Sequence, residues 1–461
     1  MAVNPTVPAP MPDGPSAADR PRPSVAHTVE IHAGPATDPL AWLAVAPGTD
    51  EAWFWEVPDD DESWVGLGAA MVVKASGPGR FADAARAAAA LWTDLAREAP
   101  TEAPLPRLAA GFAFDDELPP SAHAWQAHGA GRLVLPAVQV HRRHGRTWVT
   151  RIDHHDRPTP AVAPSAPPIP AVVDPADQAT PDQRDHYRSL VRLALEAIAR
   201  GDLAKAVPCR SIGVAHHPDL ATLLGILRAI YPACASLAVR PAGRIDDTGG
   251  DPLPTFVGAT PERLAAVHDG HLHTAALAGS APRHEDPAID AALGQGLLTS
   301  PKERQEHDVV VQAVDRALAD LGVEDWHPRH PSLLCLHGIQ HLHTPIEAEL
   351  PPGVGLLDLV GALHPTPAVA GHPGGQAADL RTAHEGMDRG WFASPVGWMD
   401  AAGDGEFRVA LRTGLVTGVG TTLYAGAGVV EGSDPDRELL ETDLKLRAVL
   451  GPVVAASEVA G

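Results

Sequence analysis

Leu423-Tyr-Ala-Gly-Ala-Gly-Val-Val-Glu-Gly-Ser-Asp-Pro-Asp-Arg-Glu438-Leu-Leu-Glu441-Thr-Asp-Leu-Lys445 reads as an apolar strand, a glycine-rich bend and the start of a helix. Glycines let a backbone come close to a ligand. Glu438 and Glu441 stand three residues apart and share one helical face, with Lys445 one turn further on. Carboxylate oxygens on a rigid face suit a hard cation such as Mg²⁺. Taken alone, Glu-x-x-Glu is also what a solvated acidic helix shows, so the rest of the chain must decide.

A second helix start repeats that spacing 135 residues earlier, in Ser300-Pro-Lys-Glu303-Arg-Gln-Glu306-His307. Two such pairs could converge on one Mg²⁺, which commonly keeps several waters. Imidazole is a poor ligand for that ion, so His307 is expected to be a hydrogen-bond partner. Lys205 is the one lysine of an apolar strand, Ala204–Ile212, and a desolvated lysine can act as a base. Pro208 in that run suggests an edge or a bulge. Glu262 follows a strand and a Thr-Pro turn, where backbone geometry could hold a carboxyl as a general acid. Gly279 and Ser280 end a strand with small residues that could present N–H groups to an oxygen ligand. The run Phe407–Val416 reads as one strand, with Arg408, Ala410 and Arg412 on one face. An arginine there could clamp a carboxylate.

The chain has 461 residues, 44% of them hydrophobic, and a formal charge of −23. That charge argues against nucleic acid or an anionic membrane as the main partner. Cys209, Cys234 and Cys335 are scattered without metal-type spacing, which points to a reducing compartment. No apolar run is long enough for a transmembrane helix, and a cytoplasmic protein is expected. Residues 1–26 read as a disordered tail, 27–155 as the first part of the fold, 156–179 as a proline-rich linker and 180–455 as the catalytic region. Further strands are read at Trp64–Gly68, Leu108–Phe114, Leu133–Val140 and Trp391–Met399. Helices are read at Phe81–Glu98, from a Thr180 cap to Gly201, at Leu298–Leu321 and from Pro435 to Leu450. Helices and strands mix without strict alternation, which favours an α+β class.

Together these segments resemble the chorismate-utilising enzymes. The resemblance rests on Gly-Ala-Thr-Pro-Glu262, Leu-Ala-Gly-Ser280, Glu306-His307, Gln-His341-Leu, His-Pro-Thr-Pro-Ala-Val, Pro-Val-Gly-Trp398, Gly-Asp-Gly-Glu-Phe407 and Tyr-Ala-Gly-Ala-Gly428. It runs from about Ala204 to Leu450, with a fainter match at Gly111-Phe-Ala-Phe. It implies one large α+β domain of two antiparallel sheets flanked by helices, with a Mg²⁺-dependent site for chorismate. A monomer is expected, since nothing in the sequence suggests an obligate interface. Glu306 and Glu441 would ligate the metal, supported by Glu303 and Glu438. Arg412, Lys445 and N–H groups near Ala427 and Gly428 would hold the side-chain carboxylate. Gly279, Ser280, His341, Ala370 and Phe392 would complete the substrate pocket.

Within the family, members that add water carry lysine at the position of Lys205, whereas amine-adding members tend to carry glutamine. Water needs a base to become a nucleophile, and ammonia does not. Members that also expel pyruvate tend to have threonine where this chain is read to have Ala370, and some carry tyrosine at Phe392. The implied activity is therefore that of an isochorismate synthase, with Lys205 as base and Glu262 as acid. A salicylate synthase, an amine-adding synthase and a catalytically silent partner subunit are the alternatives.

Overall fold

The central strands are apolar at almost every position because both of their faces are covered. In Ala52–Val57, Trp53, Trp55 and Val57 enter one core cluster, while Ala52 and Phe54 enter another. The structure is a computed structural model that describes residues 24–31, 37–48, 50–153, 178–244, 251–324, 326 and 330–460. Most of the expected tail and linker lies outside these residues, although the strand Val25–Ile31 begins two residues inside the span read as tail.

Among the described residues two large sheets carry the fold. The first has eleven strands, in the order Cys209–Val214, Gly420–Gly426, Thr413–Thr417, Thr255–Thr260, Ala235–Arg240, Ala52–Val57, Glu62–Leu67, Val138–Arg143, Arg146–Ile152, Val25–Ile31 and Ala96–Glu98. The second has nine, in the order Ser332–Cys335, Ile339–Glu349, His271–Pro282, Arg263–His268, Gly405–Val409, Pro395–Asp400, Arg107–Phe112, Gly131–Leu135 and Met71–Lys74. Pairing is antiparallel throughout both, except for the parallel edge of Val25–Ile31 with Ala96–Glu98. Trp53, Phe256 and Leu237 of the first sheet share a core with Phe112, Leu264 and Phe407 of the second. That core extends to helices Arg80–Asp94, Pro301–Asp320 and Leu356–Leu363. The other face of the first sheet packs on helices Pro39–Val45, Leu220–Ile230 and Pro435–Ala460. Each fully buried Leu, Val or Phe there contributes about 1.5–3 kcal/mol.

Three runs read as single strands are each broken in two. Leu133–Val140 splits at Pro136, with Gly131–Leu135 in the smaller sheet and Val138–Arg143 in the larger. Phe407–Val416 ends as a strand at Val409 and resumes at Thr413 in the other sheet, with Arg412 between them at φ +52°. Arg408 therefore does not share a strand face with Arg412; it pairs with Glu406 at 2.6 Å. Ala204–Ile212 breaks at Val207-Pro208, since proline lacks the N–H that would continue the ladder. The Ala-rich helix stops at Asp94, and Trp391–Ser394 is a turn before the strand Pro395–Asp400. The C-terminal helix runs on through Pro452 to Ala460, because Val453 and Ala456 continue its buried stripe. The Thr180 capping box stands as read, with Gln183 as the reciprocal partner.

Candidate active site

The chain passes between the two sheets at Pro261-Glu262 and again at Ala410-Leu411-Arg412, and a cleft opens at that seam. Val409 donates its N–H to Glu262 O at 2.9 Å, which ties the two crossings together. The cleft spans about 760 Å³, the open solvent at its mouth included. Glu262, Glu306, His341, Arg412, Glu441 and Lys445 line it, with Gly279, Ser280, Phe392 and Gly428.

Local sequence explains how each group arrives. Ser300 caps the helix of Glu303 and Glu306, accepting from Glu303 N at 3.3 Å. Asp434 caps the helix of Glu438 and Glu441, accepting from Asp436 N and Arg437 N. Both carboxylate pairs thus sit near helix N-termini, where the macrodipole favours negative charge. Lys205-Ala206 pairs with Gly371-His372 on one side, and Ala206 exchanges two backbone hydrogen bonds with Val429 of the glycine bend on the other. The strand His271–Pro282 bulges at Gly279, whose φ is +75°. That bulge brings Gly279 O within 3.2 Å of His341 Nδ1.

The four glutamates and three lysines form interlocking ion pairs. Lys205 Nζ lies 2.9 Å from Glu306 Oε1, Lys445 Nζ 2.8 Å from Glu441 Oε1, and Lys302 Nζ 2.9 Å from Glu438 Oε1 and 3.4 Å from Glu303 Oε1. Lys205 is fully buried behind Glu306, and its ammonium meets that carboxylate without an aligned hydrogen bond. Burial, reinforced by neighbouring carboxylates and opposed by Lys302, raises Glu303 and Glu438 above the usual carboxylate range. Burial acts the same way on Glu306, but Lys205 outweighs it and holds that carboxyl low. A Cβ at position 428 would overlap Glu306 Oε1, so only glycine leaves that carboxylate its place. This donor set fits a hard divalent cation: oxygen ligands, packed like charges that a cation would relieve, and a backbone cradle shaped around one of them. The four do not close on one point; the cluster with three ligand atoms within 4.8 Å of one another among the described residues is His268, Asp269 and Asp404, near the surface.

Glu262 stands apart from the quartet. Burial pushes its carboxyl up to about 7, against the pull of Lys205 and Lys445. It is thus half protonated near neutrality, as a general acid requires. His341 is held well below its usual value by burial, helped by Arg412 and Lys445, so it is neutral. Its Nδ1–H lies between Ser280 Oγ at 3.0 Å and Gly279 O at 3.2 Å, which leaves Nε2 to accept from Arg412 Nη2 at 3.4 Å. Arg412 is buried with no carboxylate among the described residues in ion-pair range, and its Nη1 has no hydrogen-bond partner. A buried guanidinium without a counter-ion is costly unless an anion arrives to meet it. His307 bonds Thr344 Oγ1 at 2.8 Å, and burial lowers its imidazole to about 4, which agrees with a structural hydrogen-bond role.

Two expected contacts fall elsewhere. Ala370 lines neighbouring cavities with Arg381, one of them beside Phe81 and Phe114; its predecessors Ala368 and Val369 face the cleft instead. Ala427 donates its N–H to Pro208 O at 3.4 Å, so that amide is already engaged. The sequence reading missed Tyr424, which stacks on Phe392 with ring centroids 5.3 Å apart, and Lys302. It also missed Arg389, fully buried, which pairs with Glu385 and donates to Val369 O and Val207 O, bracing two walls of the cleft. Tyr424 and Lys302 stand inside the very segments quoted for their glutamates, but nothing local sets them apart from packing or solvated residues.

Residues 17–453 match the family described as chorismate binding enzyme. The salicylate biosynthesis isochorismate synthase of Pseudomonas aeruginosa is 36% identical over 437 residues, covering 89% of this chain and 87% of its own. The isochorismate synthase DhbC of Bacillus subtilis is 38% identical over 271 residues, 59% of this chain and 68% of its own. The structure of the menaquinone-specific isochorismate synthase of Escherichia coli superposes with a TM-score of 0.73 at 25% identity, covering 94% of this chain and 96% of that one. Two sheets meeting at a polar cleft, and a match that spans the described fold from its first strand to its last helix, lead to one conclusion: the chain belongs to the chorismate-binding enzyme family.

Proposed function

We propose that this protein is a Mg²⁺-dependent isochorismate synthase, converting chorismate to isochorismate by adding water at C2 and releasing the C4 hydroxyl. The observation that carries the reading is Lys205: a fully buried lysine whose ion pair is to a glutamate of the quartet, and whose charge is felt by the Glu262 carboxyl. The acid lines the cleft, and the base touches Glu306, which lines it too.

The charge balance supports a dianionic substrate together with a divalent cation. Glu303, Glu306, Glu438 and Glu441 are matched by Lys205, Lys302, Lys445 and Arg412, so with Glu262 protonated the site is neutral before either binds. Bound by Glu306 and Glu441, with Glu303 and Glu438 behind them, Mg²⁺ would supply a positive anchor for the ring carboxylate. Arg412 offers its unpartnered Nη1 to the side-chain carboxylate, held in place by His341. Lys445 adds a second cation beside it. Lys205, as the base, takes a proton from the water that attacks C2. Glu262, protonated, gives a proton to the departing C4 hydroxyl, which leaves as water. One water enters and one leaves, so the reaction is an isomerisation. Such acid–base assistance contributes about 10²–10⁴-fold per group.

The test is to incubate the purified protein with chorismate and Mg²⁺ and to identify products by chromatography and mass. Isochorismate without pyruvate is expected. Salicylate with pyruvate, or a product that requires ammonium, would overturn the assignment. Lys205→Ala should lose the activity while still folding and binding Mg²⁺; full activity in that variant would remove Lys205 from the mechanism.

A further inference from the structure

Lys302 is the cation of the site that the reaction does not use. It is absent from the lining of the cleft, as Lys205 is, but its ion pairs are with Glu438 and Glu303 and not with Glu306, which lines the cleft. Its ammonium instead reaches Glu438 at 2.9 Å and Glu303 at 3.4 Å, spanning the first turns of the two helices that carry the quartet. Glu438 is 2% exposed. The Lys302 side chain keeps 30% of its surface in solvent, so its stem crosses the surface while its charge enters the site.

We propose that Lys302 is a built-in counter-cation of the carboxylate quartet, which keeps the divalent cation weakly bound until the dianionic substrate is present. The inference rests on the metal site proposed above. With Glu262 protonated, the four carboxylates of the quartet and four cations leave the empty site neutral. A divalent cation alone leaves an excess of two positive charges, and a dianion alone leaves an excess of two negative ones. Only the pair restores neutrality, so each ligand favours the other by the same factor. Without Lys302 the empty site carries one net negative charge and takes the cation unaided. Lys302 also holds the two helix starts together where the like charges of Glu303 and Glu438 would push them apart.

The experiment is a calorimetric titration of Mg²⁺ alone into the wild-type protein, Lys302→Gln, Lys302→Arg and Arg304→Gln. Arg304 is exposed on the same helical turn and controls for net charge. A unit charge a few ångströms from a divalent ion alters affinity about tenfold or more even at the dielectric of water. Lys302→Gln should therefore bind Mg²⁺ about tenfold tighter or more, while Lys302→Arg and Arg304→Gln stay within about threefold of wild type. In the Glu262→Gln background, which holds the acid in its neutral form, saturating chorismate should tighten Mg²⁺ binding. Adding Lys302→Gln should cut that gain several-fold. A residue that only held the helices in place would weaken the metal when removed. Unchanged or weaker binding in Lys302→Gln, or equal tightening in Lys302→Arg, overturns the proposal and leaves the metal site standing. Absence of Mg²⁺ binding in every variant overturns the metal site and the proposal together.

Discussion

Glu262→Gln should make the protein a worse catalyst and, above neutral pH, a more stable one. Glu262 is buried with no hydrogen bond to its carboxyl among the described residues, and its pKa is raised from 4.5 to about 7, chiefly by burial. A raised carboxyl means that the folded protein binds this proton more tightly than the unfolded chain. Stability is therefore fully present below about pH 4.5 and is lost as pH rises towards 7, where the folded group ionises. Moving one carboxyl that far destabilises the fold by about 3 kcal/mol once it is charged. Glutamine carries no charge and escapes that loss. The variant and the wild type should be equally stable near pH 4.5, and the variant should lead by about 3 kcal/mol at pH 8.5. For a chain of this length that corresponds to roughly 3 °C in melting temperature. Thermal or urea unfolding of the metal-free, substrate-free proteins across this range measures the difference, and the other titrating groups cancel between the two. A difference that does not change with pH, or that grows towards acid, would refute the burial argument. In the same variant turnover should fall about 10²–10⁴-fold.

Arg412→Met removes a buried guanidinium that has no carboxylate partner, so it should raise KM for chorismate about 10²–10³-fold without loss of stability. Steady-state kinetics beside a melting curve checks both halves, and a loss of more than about 2 kcal/mol would mean that Arg412 supports the fold instead. Gly428→Ala places a methyl group on Glu306 Oε1 and near Lys205, so the Mg²⁺ concentration needed for half-maximal activity should rise about tenfold or more. An unchanged Mg²⁺ requirement would show that Glu306 can move aside freely.

How much of this was legible in the sequence depends on how local each signal is. The Thr180 capping box, the Ser300 cap and the strand–bend–helix around Gly428 are written in neighbouring residues, and all form as read. Both Glu-x-x-Glu pairs reached one site because each sits in the first turns of a helix, where spacing fixes direction. The sheet crossings were not legible. The run Phe407–Val416 is continuously apolar or small around its arginines, and nothing in such a run says that its two halves belong to different sheets. Only the left-handed backbone at Arg412 marks the change, and arginine is an unexpected residue there. Ala370 failed for a related reason: its segment is a turn, so adjacent residues face different cavities and a shift of one position decides which.

These crossings are also why the site lies where it does. A strand within a sheet holds its side chains perpendicular to the pleat and against a core. A chain leaving one sheet for another must give up that pairing for a few residues, and there its side chains can point along the seam. Glu262 and Arg412 each occupy such a gap, and Val409 and Glu262 hold the two gaps in register through one backbone hydrogen bond of 2.9 Å. The acid and the anion-binding arginine are thus fixed to the same seam, while the glutamates and lysines arrive on helices and on the edge segment Lys205-Ala206. It follows that changes to the hydrophobic faces between the sheets should act on Glu262 and Arg412 together, whereas changes to the helix starts should act on metal affinity alone.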